Sequence, residues 1–186
     1  MMGALLAASL LFPTIGGDNL SGKHMMLPSD FEGQPNIVIV AFFREQQSLV
    51  DTWGPVLDEL RKQHPDLRTY ELPTIGKGYF LMKWIISTGM RSGIKDTDTR
   101  DHTVTLYTDT RKFRRELDLP TDRTIYVLLV DSKGVVRWKT DGPMTAMGAD
   151  SLREEVARSA SGYPFFTGNA PMLTYKIPMD GGSYDT

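Results

Sequence analysis

Residues 36–43 read NIVIVAFF, an uncharged run made mostly of β-branched and aromatic side chains. A run with no polar alternation suits a strand covered on both faces, so a chain built around it needs helices on both sides of a sheet. Residues 124–130 (TIYVLLV) repeat the pattern. Two such strands exclude an all-helical fold and a sheet with one wet face.

The segments between them show helical and strand periods in turn. Leu49, Val50, Trp53, Val56, Leu57 and Leu60 recur at helical spacing, which predicts an amphipathic helix over 48–63, kinked at Pro55. Residues 68–72 and 103–107 read as short strands, 79–90 as a largely buried helix, and 111–117 as a brief helix ended before Pro120. Asp131-Ser132-Lys133-Gly134 is a tight turn into a strand over 135–139, with Val136 and Trp138 expected on one face and Val135, Arg137 and Lys139 on the other. Ser151 and Glu154 fit a capping box that opens the last helix. Residues 13–35 read as loop with a short hairpin. The order predicts an α/β fold with helices on both faces of a mixed sheet.

Three parts are expected along the chain. Residues 1–19 are an apolar segment and loop, 20–160 the folded domain, and 161–186 an extended or disordered tail or a strap. Residues 2–12 are too short to span a bilayer and no basic residue precedes them, so they read as a targeting remnant or as a packed segment. The targeting reading favours an exported or mitochondrial location over a cytoplasmic one.

Composition excludes several classes of function. There is no cysteine, which removes thiol peroxidase chemistry, disulfide exchange and cysteine-ligated metals from these 186 residues. A formal charge of −2 argues against nucleic acid as a partner. His24, His64 and His102 share no ligand spacing, and Asp96, Asp98 and Asp101 lack the EF-hand pattern, so no metal site is expected. No Walker or G-x-S-x-G motif occurs, and no cofactor is expected.

The order of elements resembles the thioredoxin-like fold in its peroxiredoxin-type form over residues 20–160, a three-layer α/β/α sandwich with a mixed central sheet. The likeness rests on the buried strand running into a proline-kinked helix, on Arg123 before the second strand, and on the hairpin from Val130 to Val136. In thioredoxins the redox pair lies about where Gln47 and Val50 stand here, so the nucleophile is missing. Val135-Val136-Arg137-Trp138, Gly142-Pro143 and Leu152 are similar to the mitochondrial ATP synthase assembly-factor family, with looser echoes at Phe12-Pro13, Leu20-Ser21-Gly22 and Gly89-Met90-Arg91. These are thioredoxin-like proteins that chaperone a membrane subunit, and they have bacterial homologues. The resemblance implies a non-catalytic binding or assembly protein whose partner is a membrane-complex subunit, with peripheral membrane contact allowed. The rivals are a cysteine-independent enzyme working through Arg44, Arg123 and a bound cofactor, and an exported accessory domain.

Candidate binding residues follow from position. Arg44, Gln47 and Ser48 lie where the first central strand meets its helix, a place that favours ligands, with Arg123 expected across from them. The plain alternative is a solvated loop with Ser48 as helix cap. Arg91 belongs to the family echo. Arg137 and Trp138 sit in a predicted edge strand, where an aromatic beside a cation suits partner contact and half-buried packing is the alternative. Arg111, Lys112, Arg114 and Arg115 form a basic run with acidic neighbours, normally a solvated helix face. Met25 and Met26 read as surface or loop packing.

Overall fold

The run that dominates the sequence is the centre of the sheet. β3 (Asn36–Ala41) is buried at all six positions. The computed structural model describes residues 9–76 and 96–160. The other strands are β1 (Ile15–Asn19), β2 (His24–Leu27), β4 (Arg68–Gly76), β5 (Val104–Thr108), β6 (Tyr126–Val130) and β7 (Val136–Asp141). They form one seven-stranded sheet in the order β2-β1-β5-β4-β3-β6-β7. The β3–β4 and β4–β5 pairs are parallel, and the other four are antiparallel.

Alternation along β3 feeds two cores. Ile37, Ile39 and Ala41 face α1 (Gln47–Asp51), α2 (Gly54–Gln63) and α5 (Ala146–Ala160), packing with Trp53, Leu57, Leu60 and Leu152. Val38 and Val40 face the opposite layer, with Tyr70, Leu106 and Phe113 of α4 (Thr110–Glu116). Each side chain so buried contributes roughly 1.5–3 kcal/mol, which is why β3 is the most specified element. A short α3 (Thr97–Asp101) buries nothing and is capped by Asp96, whose Oδ2 accepts the Thr99 N–H at 2.8 Å. The fold is the expected three-layer α/β/α sandwich with a mixed sheet.

Several local expectations need correction. The predicted helix over 48–63 is two helices after a 3-10 turn at Arg44–Gln46, and Pro55 lies in the first turn of α2. A proline there loses no hydrogen bond, so it starts a helix instead of kinking one. The strand begun at Arg68 continues past Leu72 to Gly76. Ser151 lies inside α5, not at its start. Thr145 does the capping, its Oγ1 accepting the Gly148 N–H at 3.1 Å. Val136 and Trp138 lie on opposite faces of the sheet, because a bulge between Leu129 and Val130 shifts the register by one residue. The short hairpin is β1–β2. The predicted helix over 79–90 lies outside the described residues, as do residues 1–8 and the tail. Phe12, 4% exposed, packs edge-on to Phe31 and Phe113.

Candidate functional site

Strand register brings three loops to one end of the sheet. Val40 is opposite Tyr126, and Tyr126 is opposite Asp141. The chain leaving β3, the chain entering β6 and the chain leaving β7 therefore meet at the carboxyl end of β3. Open α/β sheets place ligands at that end.

One buried side chain joins the first two loops. Gln46 is 6% exposed. Its Oε1 accepts the N–H groups of Phe42 at 2.8 Å and Phe43 at 3.3 Å, and its Nε2 donates to the Asp122 carbonyl at 2.8 Å. All three bonds are to backbone, so the amide sets loop geometry and not side-chain placement. The Tyr126 hydroxyl braces the second loop, donating to the Thr121 carbonyl at 2.9 Å and accepting the Thr121 N–H at 3.1 Å. The third loop is tied to the α1–α2 junction. There Trp53 Nε1 donates to the Gly142 carbonyl at 3.1 Å, and Thr52 Oγ1 accepts the Met144 N–H at 2.8 Å.

The sequence-predicted residues separate into two groups. Arg44, Gln47, Ser48 and Arg123 lie at this end, all exposed. The Arg44 and Arg123 side chains make no hydrogen bond or ion pair among the described residues. Gln47 donates to Asp51 Oδ1 at 3.1 Å. Ser48 donates its hydroxyl to the Glu45 carbonyl and is not the cap of α1, a place taken by Gln46. Below Gln47, burial pushes the Glu71 carboxyl above the usual range and the Asp51 charge adds to this, while Gln47 pulls it back.

Arg137 and Trp138 lie further down the sheet. Val136 is paired with Val130, which is opposite Asn36 at the other end of β3. Arg137 clamps the hairpin turn, its Nη2 2.6 Å from Asp131 Oδ2, while Asp131 Oδ1 accepts the N–H groups of Lys133 and Val135. Trp138 donates from Nε1 to Ser151 Oγ at 2.9 Å and meets Trp53 edge-on, 6.4 Å between ring centroids. Arg91 lies outside the described residues. In the basic run, Lys112 pairs with Glu116 and Arg114 donates to the Pro120 carbonyl.

Sequence reasoning did not single out Gln46, the exposure of Phe43 or the partial burial of Glu71. Phe43 is 53% exposed directly after a buried strand. Gln46 and Gln47 are adjacent and chemically identical, and only the 3-10 turn decides which one points inward. A cavity of about 560 Å³ lies at the opposite end of the sheet, near His64, Asp66 and Lys133.

Residues 6–158 match the family model described as ATP10 protein. The chain belongs to this family. No curated protein matches the sequence. Among solved structures, BsSco, a member of the Sco family of cytochrome c oxidase assembly proteins, superposes with a TM-score of 0.59 at 11% identity, over 83% of this chain and 96% of that one. Copper-bound yeast Sco1 gives a TM-score of 0.55 at 12% identity, covering 81% and 95%. An uncharacterized thioredoxin-like protein from Porphyromonas gingivalis gives 0.54 at 12%, covering 85% and 97%. At these identities the likeness is one of fold, and it makes this member of the ATP10 family thioredoxin-like. This member has no cysteine at the carboxyl end of β3 or elsewhere in its 186 residues.

Proposed function

We propose that the protein is a non-catalytic, thioredoxin-like binding protein that holds a segment of another protein at the carboxyl end of β3 during assembly of a membrane complex. The partner on this reading is a subunit of that complex, such as one of ATP synthase. The observation that carries the reading is a fixed loop frame in a chain without cysteine. Three loops are locked by the Gln46 amide, the Tyr126 hydroxyl and the Trp53 indole, and the frame presents Phe43 flanked by Arg44. A preset loop frame lowers the ordering cost of binding, and an exposed aromatic beside a cation is a common anchor in protein interfaces. Membership of the ATP10 family supports the assembly role.

The test is site-specific photo-crosslinking in the membranes of the native source. A photoreactive residue at Phe43 or Arg123 should capture one discrete membrane-complex subunit, identified by mass spectrometry. The same probe at Asp58, on the outer face of α2, should capture nothing comparable. Equal capture at all three positions, or none at Phe43 and Arg123, overturns the reading.

A further inference from the structure

β2 is the outermost strand on its side of the sheet, and its residues alternate in exposure: Met25 and Leu27 are buried, whereas His24 and Met26 share the other face and are exposed. Across the ladder, Asp18 stands opposite His24 and Gly16 opposite Met26. His24 Nδ1 lies 2.7 Å from Asp18 Oδ1. An ionised carboxylate can only accept, so Nδ1 carries a proton and the coordinating lone pair of the neutral ring is on Nε2.

Gly16 is what lets two donor atoms converge. A Cβ at that position would sit 3.1 Å from His24 Nε2 and 3.2 Å from Met26 Sδ. A side chain there would be in tight contact with both atoms, and the ring and the thioether would have to shift by a few tenths of an ångström. With glycine there, the imidazole nitrogen and the thioether sulfur both lie within 3.2 Å of one point above the strand pair.

We infer that His24 Nε2 and Met26 Sδ form a site for a soft monovalent cation of the Cu(I) class, with Asp18 holding the ring. The donor set selects the ion. A thioether is a soft ligand that suits Cu(I), whereas Mg²⁺ and Ca²⁺ require oxygen donors. In a chain without cysteine, thioethers are the only soft donors available. A carboxylate on the far nitrogen of a ligating histidine fixes tautomer and orientation and raises ligand basicity. Two protein donors suffice for a low-coordinate monovalent ion, and exposure of both leaves an open side for exchange. The histidine spacings suggested no metal site, because the partner is a methionine and because the site depends on the residue opposite it in the ladder. The inference is independent of the binding role assigned to the carboxyl end of β3.

The experiment is anaerobic titration of the full chain with Cu(I) against a colorimetric Cu(I) chelator, repeated with Ag(I) as a redox-silent probe. Methionine methyl and histidine ring signals are followed by NMR. One equivalent of metal should be taken up, moving the Met26 methyl and the His24 ring together and leaving Met147, 82% exposed, unmoved. Met26→Leu and His24→Gln should each weaken uptake at least tenfold, with the fold intact by circular dichroism. Gly16→Ala should weaken it by crowding both donors, and Met147→Leu should not. Failure to compete with the chelator overturns the site, as does uptake that survives the combined His24→Gln and Met26→Leu substitutions. A Zn²⁺ titration that shifts the Met26 methyl equally overturns the assignment to a soft ion.

Discussion

Gln46 reaches across 76 residues of sequence to donate from Nε2 to the carbonyl of Asp122 at 2.8 Å, and the same amide caps the N–H groups of Phe42 and Phe43. Removing it strands the buried Phe42 N–H, at about 1–3 kcal/mol, and two part-buried groups that water can partly reach, at less. Gln46→Ala should therefore lose about 2–4 kcal/mol of stability. Its neighbour Gln47 is exposed, so Gln47→Ala should cost less than about 1 kcal/mol. Urea denaturation of the two variants side by side is the check.

Glu71 makes stability depend on pH with a defined sign. Its pKa is raised in the folded state, chiefly by burial. Between the ordinary glutamate value of about 4.3 and the raised one, the native state holds more protons than the unfolded chain, so stability falls as pH rises through that window. Glu71→Gln should raise Tm at about pH 7, and the gain should vanish at about pH 4 and below. Thermal melts at the two pH values measure it, and a larger gain on the acid side would contradict the burial argument.

Trp138 and Trp53 should couple. The rings meet edge-on, and such pairs contribute about 0.5–1.5 kcal/mol beyond area burial. Trp53, 1% exposed, should lose about 3–5 kcal/mol on truncation to alanine, and half-buried Trp138 less. A double-mutant cycle should return a coupling near 1 kcal/mol. Trp138→Phe should retain most of the packing and lose only the bond to Ser151.

Two adjacent residues near the N-terminus should behave oppositely. Leu11 is 59% exposed and Phe12 only 4%. Phe12→Ala should cost about 3–5 kcal/mol, because it opens a cavity against Phe31 and Phe113. Leu11→Ala should stay within about 0.5 kcal/mol. Chemical denaturation of the two single variants separates them.

The runs at 36–43 and 124–130 were enough, read alone, to place two buried central strands, to require helices on both faces and so to settle the α/β class. The absence of cysteine was equally decisive about thiol and disulfide chemistry within these 186 residues. These properties are local: apolar periodicity and side-chain chemistry do not depend on what lies across the fold. What the tertiary structure decided were relations between distant segments. An extra residue in β7, Arg137, opposite the Leu129–Val130 step put Val136 and Trp138 on opposite faces, although the β7 sequence alone alternates regularly. Thr145 caps α5 while the capping-box pattern at Ser151 falls mid-helix, because the loop after β7 is anchored to Thr52 and Trp53. Gln46 and not Gln47 turns inward, and His24 Nε2 and Met26 Sδ both lie beside Gly16 of the neighbouring strand. Each outcome depends on register and on long-range hydrogen bonds, whose partners are chosen when the chain closes on itself and so leave no periodic trace in the sequence.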